Sequence, residues 1–187
     1  MASQLEIINI ALSRLGESPI QSLNEGSVPA NAAKLLYDTE RKATLRAYPW
    51  NFALRQTTLA RLEGGAVDFS NAFALPVDNL RVLQVWDSTT KQELRYSTRG
   101  GRLYSDSEKV TIEYVADVKE AHIYDSKFVE AFSYRLASTL AMPVKGSPEL
   151  MANYMNIYQG LVSEAATQSA REEEVYLSDN PYLEARM

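Results

Sequence analysis

The sequence predicts an α+β fold, mainly α: a four-helix bundle with a small antiparallel β-module inserted between helices 2 and 3, plus an extended C-terminal arm. Three observations predict it. Apolar residues recur at helical spacing up to residue 48, give way to short β-rich runs between Pro49 and about Asp117, and return to helical spacing until Glu174. Capping residues sit where the helical stretches begin. Pro49 closes the second stretch, because the residue before a proline avoids helix. The expected boundaries are 1–48 and 118–174 for the bundle, 49–117 for the β-module and 175–187 for the arm.

The first helix opens with Ser3–Glu6, "SQLE", the pattern in which each side chain caps the other's backbone amide. Leu5, Ile8, Leu12 and Leu15 form its stripe and Gly16 stops it. "GESPIQSLNEGSVP" is turn chemistry. A second helix is expected from near Ala30, with Ala33, Leu35, Leu36, Ala43 and Ala47 on its apolar side. The next stretches, "LRVLQVW" (80–86), "ELRYS" (93–97), "RLYS" (102–105) and "VTIEYV" (110–115), read as a small antiparallel meander. Gly100–Gly101 lies where a two-residue hairpin turn needs positive φ. Asp125 or Ser126 caps a third helix carrying Phe128, Ala131, Phe132, Arg135, Leu136, Thr139 and Leu140. Ser147 and Pro148 open a fourth, with Leu150, Tyr154, Ile157, Tyr158, Leu161 and Ala165. At the hand-over, Pro49, Trp50 and Phe52 are expected to wedge between bundle and sheet through large aromatic burial.

Composition narrows the chemistry. Hydrophobic residues make up 45% and charged residues 23%, values ordinary for a globular domain. No apolar run is long enough to span a membrane, and the start lacks the basic and small-residue pattern of a signal peptide. With no cysteine, disulfides, thiolate metal sites and cysteine nucleophiles are excluded. The single histidine, His122, has no spacing to Asp117 or Asp125 that selects a catalytic triad. No metal loop or H-E-x-x-H helix is present, and the two glycines of "TRGGRLYS" make no phosphate cradle. No catalytic residue, metal site or cofactor is expected.

Charge and aromatic residues point to surfaces instead. The net charge of −5 argues against tight binding of a phosphate backbone. Arg41, Lys42, Arg46, Arg55 and Arg61 form a basic stretch with no acidic residue between them, whereas Glu172, Glu173 and Glu174 lead an acidic C-terminal stretch. Those three acids sit at a helix C-terminus, where the macrodipole disfavours them, so a partner supplying positive charge would relieve the mismatch. Tyr176, Leu177, Tyr182 and Leu183 lie in an arm with no core of its own, the pattern of a segment that orders against a partner.

Residues 11–54, "ALSRLGESPIQSLNEGSVPANAAKLLYDTERKATLRAYPWNFAL", resemble the amino-terminal signature of the tail tubular protein A family, the head-to-tail adaptors of short-tailed bacteriophages. The first part of that signature is matched by Leu15, Gly16, Pro19, Ile20, Ser22 and Leu23. The second is matched by Ala30, Tyr37, Leu45, Arg46, Pro49, Trp50, Phe52 and Ala53. "FALPVDNLRVLQV" and the positions Phe128, Glu130, Ala131, Arg135, Leu136 and Ala137 extend the likeness more loosely.

The resemblance implies a non-enzymatic virion protein, assembled in the host cytoplasm into a twelve-membered ring below the portal. Such a ring extends the DNA channel without binding DNA specifically and offers a platform to the tail nozzle. It also implies that the C-terminal extension, with Tyr176, Leu177, Tyr182 and Leu183, docks on the portal protein. In such a ring the charge map suggests that Arg41, Lys42, Arg46 and Arg55 of one copy face Glu172, Glu173 and Glu174 of the next. A head-completion protein of a long-tailed phage, a soluble regulatory module that binds a partner, and a hydrolase using His122 are the competing readings.

Overall fold

The structure is a computed structural model that describes residues 2–178, with side chains for 2–167. It contains α1 (Gln4–Arg14), α2 (Val28–Ala47), α3 (Ser126–Lys145) and α4 (Pro148–Ser178). Between α2 and α3 run β1 (Leu54–Thr58), β2 (Arg61–Leu62), β3 (Asn71–Ala74), β4 (Asn79–Asp87), β5 (Ser97–Arg99), β6 (Arg102–Ser105) and β7 (Val110–Ala116). The chain divides into two compact units, one of residues 1–48 and 122–187, the other of residues 49–121.

Helix ends in the first unit follow from local chemistry. Ser3 and Glu6 form the reciprocal cap, with Ser3 N donating to Glu6 Oε2 at 2.6 Å and Glu6 N to Ser3 Oγ at 3.2 Å. Ser27 caps α2 and Asp125 caps α3, through the amides of Ala30 and Phe128. Ser147 Oγ accepts from Leu150 N at 3.2 Å at the start of α4. Gly146, at φ +62°, lets α3 end in a left-handed residue that any Cβ would disfavour. The loop after α1 is pinned by a two-way amide clasp: Asn9 Nδ2 donates to Ile20 O at 3.1 Å, and Ile20 N donates to Asn9 Oδ1 at 2.9 Å.

Helix α3 lies at the centre of this unit, packing against α1, α2 and α4. Its Phe128, Phe132, Leu136 and Leu140 are fully buried. Tyr37 of α2 meets Phe132 edge-on at 5.1 Å, and Tyr124 meets Phe128 at 4.7 Å. Polar bolts supplement the apolar core. Arg135 Nε donates to Glu40 Oε2 at 2.6 Å, and Ser138 Oγ donates to Met151 O at 2.7 Å. Arg14 ties three helices: its guanidinium donates to Ser133 Oγ and stacks 3.5 Å over the Tyr134 ring, while its carbonyl accepts from Tyr154 OH.

Helix α2 departs from the expected apolar side. Its buried line is Ala30, Ala33, Tyr37, Thr44 and Leu45, joined by Glu40 and Arg41, whereas Leu35 is 78% exposed and Ala47 is exposed. The difference follows from helix phase: at 100° per residue Leu35 lies about 160° round the helix from buried Tyr37, so the face that packs on α3 turns Leu35 outward.

The strands of the second unit are all antiparallel but do not form a meander. One sheet has the order β1-β7-β4 and the other β2-β3-β6-β5. Central strand β7 buries Val110, Ile112, Tyr114, Val115 and Ala116, which explains why it pairs on both sides. Gly100 and Gly101, at φ +56° and +72°, make the predicted tight turn between β5 and β6. "ELRYS" is mostly not a strand; Glu93 forms an isolated bridge to Trp86, Leu94 N donates to Val85 O, and β5 starts only at Ser97.

At the end of β4, Asp87 organises the following turn. Its Oδ1 accepts from the amides of Thr89 and Thr90, both at 2.8 Å, and its Oδ2 accepts from Ser107 Oγ at 2.5 Å. The Ser107 bond first, and the two amides after it, pull its pKa from 3.8 down to about 2. Because the folded pKa is the lower one, the stabilisation is complete above pH 4 and is lost as the pH falls through about 2. Asp87→Asn should therefore flatten the acid limb of stability between those pH values, read from urea midpoints at stepped pH. An unchanged limb would remove Asp87 as its source.

Candidate functional site

The expected site residues fall on several surfaces. Tyr48 ends α2 in extended geometry, as Pro49 requires, and Trp50 starts the short 3₁₀ turn Asn51–Ala53 with its carbonyl accepting from Ala53 N at 2.8 Å. Trp50 is buried and Phe52 half-buried. Pro49, Trp50 and Phe52 are thus the opening residues of the second unit.

The basic stretch divides. Lys42 and Arg46 lie on the exposed side of α2, and Arg55 is exposed on β1. Arg41 is only 1% exposed and its Nε donates to Asp38 Oδ1 at 3.2 Å, so its guanidinium belongs to the folded interior of the helical unit. Sequence reasoning grouped it with the others because charge alone does not report helix phase.

On the acidic side, Glu172, Glu173 and Glu174 fall within α4, with side chains outside the described residues. The expected irregular arm from residue 175 needs correction at its start: α4 continues to Ser178, so Tyr176 and Leu177 belong to a helix. The run from Glu172 to Leu177 contains only residues a helix accepts, and no Gly or Pro halts it before Pro181. Tyr182 and Leu183 lie outside the described residues. Residues 168–187 carry five acids against Arg171 and Arg186, and so supply most of the chain's net negative charge.

His122 sits exposed on the 3₁₀ turn Ala121–Ile123 and makes no hydrogen bond or ion pair among the described residues. No group of three or more His, Asp or Glu side chains is placed to hold a metal ion among the described residues. No helix among them is long and apolar enough to cross a membrane. An open concavity of about 490 Å³ on the β1-β7-β4 sheet is lined by Gln56, Gln84, Val85, Trp86, Lys91 and Glu93, a set with no nucleophile–base pair. The Tyr37 hydroxyl is buried, which pushes its pKa well above the usual tyrosine value.

Sequence reasoning missed the most exposed apolar side chains. Val67 and Val77 stand fully exposed at loop tips of the second unit, and Val28 (62%) and Leu35 stand on the outward side of α2. The available signal was the seven-residue step from Val28 to Leu35, which places both on one helix face opposite Tyr37.

Comparison with known proteins then decides the class. A family model described as tail tubular protein matches residues 5–121, more than half of the chain. The chain belongs to the tail tubular protein family. This tail tubular protein is accordingly a structural component of the bacteriophage tail, and its place is in the virion. The matched segment takes in α1, α2 and the whole of the second unit, ending where the chain passes back to the helical unit. A search of curated proteins found no match.

Proposed function

We propose that this tail tubular protein is a head-to-tail adaptor: a ring of copies, twelve by the resemblance, that sits on the portal and carries the tail nozzle or tube. The family match over residues 5–121 is the observation that carries the reading. Assembly takes place in the host cytoplasm, and the protein works by contact rather than catalysis. The family, which is one of structural tail proteins, supports the second point. DNA passes through the ring without specific binding, which the acidic balance favours by withholding phosphate contacts.

Within this reading Tyr176, Leu177, Tyr182 and Leu183 are the portal-docking segment, and Pro49, Trp50 and Phe52 fix the seam between bundle and β-module. Neighbouring copies attract one another through opposite charge. Lys42, Arg46 and Arg55 are the exposed donors; Glu172, Glu173 and Glu174 are candidate acceptors. The direct test mixes the purified protein with its portal and images the product. A collar of added density with rotational symmetry is expected, and bare portals would refute the adaptor. Reversing Lys42, Arg46 and Arg55 to Glu should lower collar occupancy, with a larger effect at low salt; full occupancy would remove charge as the ring's glue.

A further inference from the structure

We infer that the ring contact is a helix pair, α2 of one copy lying antiparallel on α4 of the next, with Leu35 seated over Gly160 and Arg46 beside Glu149. The inference rests on the ring reading and names the faces that make the ring. Its first support is position. Helices α2 and α4 pack separately on α3, Phe132 meeting α2 and Tyr134 and Ser138 meeting α4, so their outward faces are two different surfaces of the helical unit. A head-to-tail ring needs such a pair of unlike surfaces, since each copy must offer one face forward and another back.

Direction gives the second support. Tyr37 with Phe132 and Glu40 with Arg135 step along α2 and α3 in the same sense, so these helices run parallel. Ser138 with Met151 and Tyr134 with Tyr154 step in opposite senses, so α4 runs antiparallel to α3, and therefore to α2. Adjacent copies in a twelve-membered ring differ by a rotation of about 30°, which tilts any helix by no more than that. Helix α2 then meets the neighbour's α4 in the antiparallel sense, with the ring rotation changing the crossing angle these helices make within one copy by at most about 30°.

The third support is the match of the two faces. The outward line of α2 runs Val28, Leu35, Thr39, Arg46, opposite its buried Ala33, Tyr37 and Thr44. The outward line of α4 runs Glu149, Asn153, Gly160, Thr167, opposite its buried Tyr158 and Ala165. Gly160 is in mid-helix, where glycine is disfavoured, and nothing lies within 4 Å of the Cβ it lacks. Leu35 and Val28, seven residues apart on the same outward line and both exposed, give that face of α2 its apolar side chains. Seating Leu35 on Gly160 fixes the register. Eleven residues further along α2 is Arg46, and eleven residues back along α4 is Glu149, both about 16 Å away. The knob meets a depression and the cation meets an exposed acid; in this register Arg46 is met by Glu149, in place of Glu172, Glu173 and Glu174, which lie toward the other end of α4.

The absence of cysteine makes the test clean. The double variant Leu35→Cys with Gly160→Cys is assembled on the portal, oxidised and run without reductant. A covalent ladder of dimers and higher multiples is expected, with none from either single variant, because each bond needs one cysteine from each face. A wild-type collar together with a collar of the double variant that yields only monomer overturns the helix pair and leaves the adaptor standing. No wild-type collar overturns both. If the cysteines themselves block assembly, charge exchange decides: Arg46→Glu should weaken collar formation by about tenfold, and adding Glu149→Arg should restore it. Unimpaired Arg46→Glu collars, or failure of the restoring change, would overturn the pairing.

Discussion

Phe132→Ala should lower the unfolding free energy by about 3–5 kcal/mol, the range for emptying a fully buried aromatic site. Phe132 is fully buried on the central helix, edge-on to Tyr37 at 5.1 Å and tilted against Phe128 at 5.7 Å. Removing the ring forfeits its transfer free energy and leaves a cavity that two fixed aromatic neighbours cannot close. Typical domains are stable by about 5–15 kcal/mol, so the variant should sit near the edge of folding. Urea unfolding followed by far-UV circular dichroism gives the answer. Leu35→Ala is the matched control: with its side chain exposed, it should change the monomer by no more than about 0.5 kcal/mol. If the two variants unfold at the same denaturant concentration, the assigned core is wrong.

Breaking the Glu40–Arg135 pair from one side should cost about 2–3 kcal/mol. Glu40 is almost buried, and Glu40→Ala leaves the Arg135 guanidinium, 5.0 Å over the Tyr158 ring, without the carboxylate that compensates it. The estimate lies below the range for a fully dry pair because Arg135 keeps 22% of its side chain exposed, and that solvent screens the charge. The double variant Glu40→Leu with Arg135→Met should fall within about 1 kcal/mol of wild type, since two apolar side chains leave no orphaned charge. A double variant no better than the single would show that the pair matters for its packing rather than its charges. The comparison is read by denaturant midpoints.

The helices were legible because their ends are written locally. Ser3–Glu6, Asp125 and Ser147 each specify a boundary through a contact within a few residues, and the structure makes those contacts, whereas α2, expected from near Ala30, starts at Val28 behind a Ser27 cap. The sheets were legible only in part. The turn at Gly100–Gly101 is local and was found, whereas the pairing of β1 with β7 joins Leu54 to Val115 and leaves no mark at short range. Strand β1, "LRQTT", is a polar edge strand that buries little, and β3, "NAFA", relies on alanines that suit a helix as well. "ELRYS" failed in the other direction, since its alternation promised a strand that neighbouring strands did not accept.

Exposure was only half legible in the basic stretch and on the outward helix faces. Charge picked out Lys42 and Arg46 correctly as exposed, but it also picked Arg41, which helix phase turns inward. Leu35 and Gly160 escaped notice for opposite reasons. The leucine looked like core and the glycine carried no side chain to read; only the outward geometry of α2 and α4 gives either a meaning.

The paired bonds between Asn9 and Ile20 carry a consequence for how α1 is held. A side-chain amide here does what a neighbouring strand would do, accepting from one peptide unit and donating to the same residue. The segment between α1 and α2 is thereby a strut rather than a tether. A single carboxamide thus holds Ile20, and the loop that leaves α1, against the side of that helix.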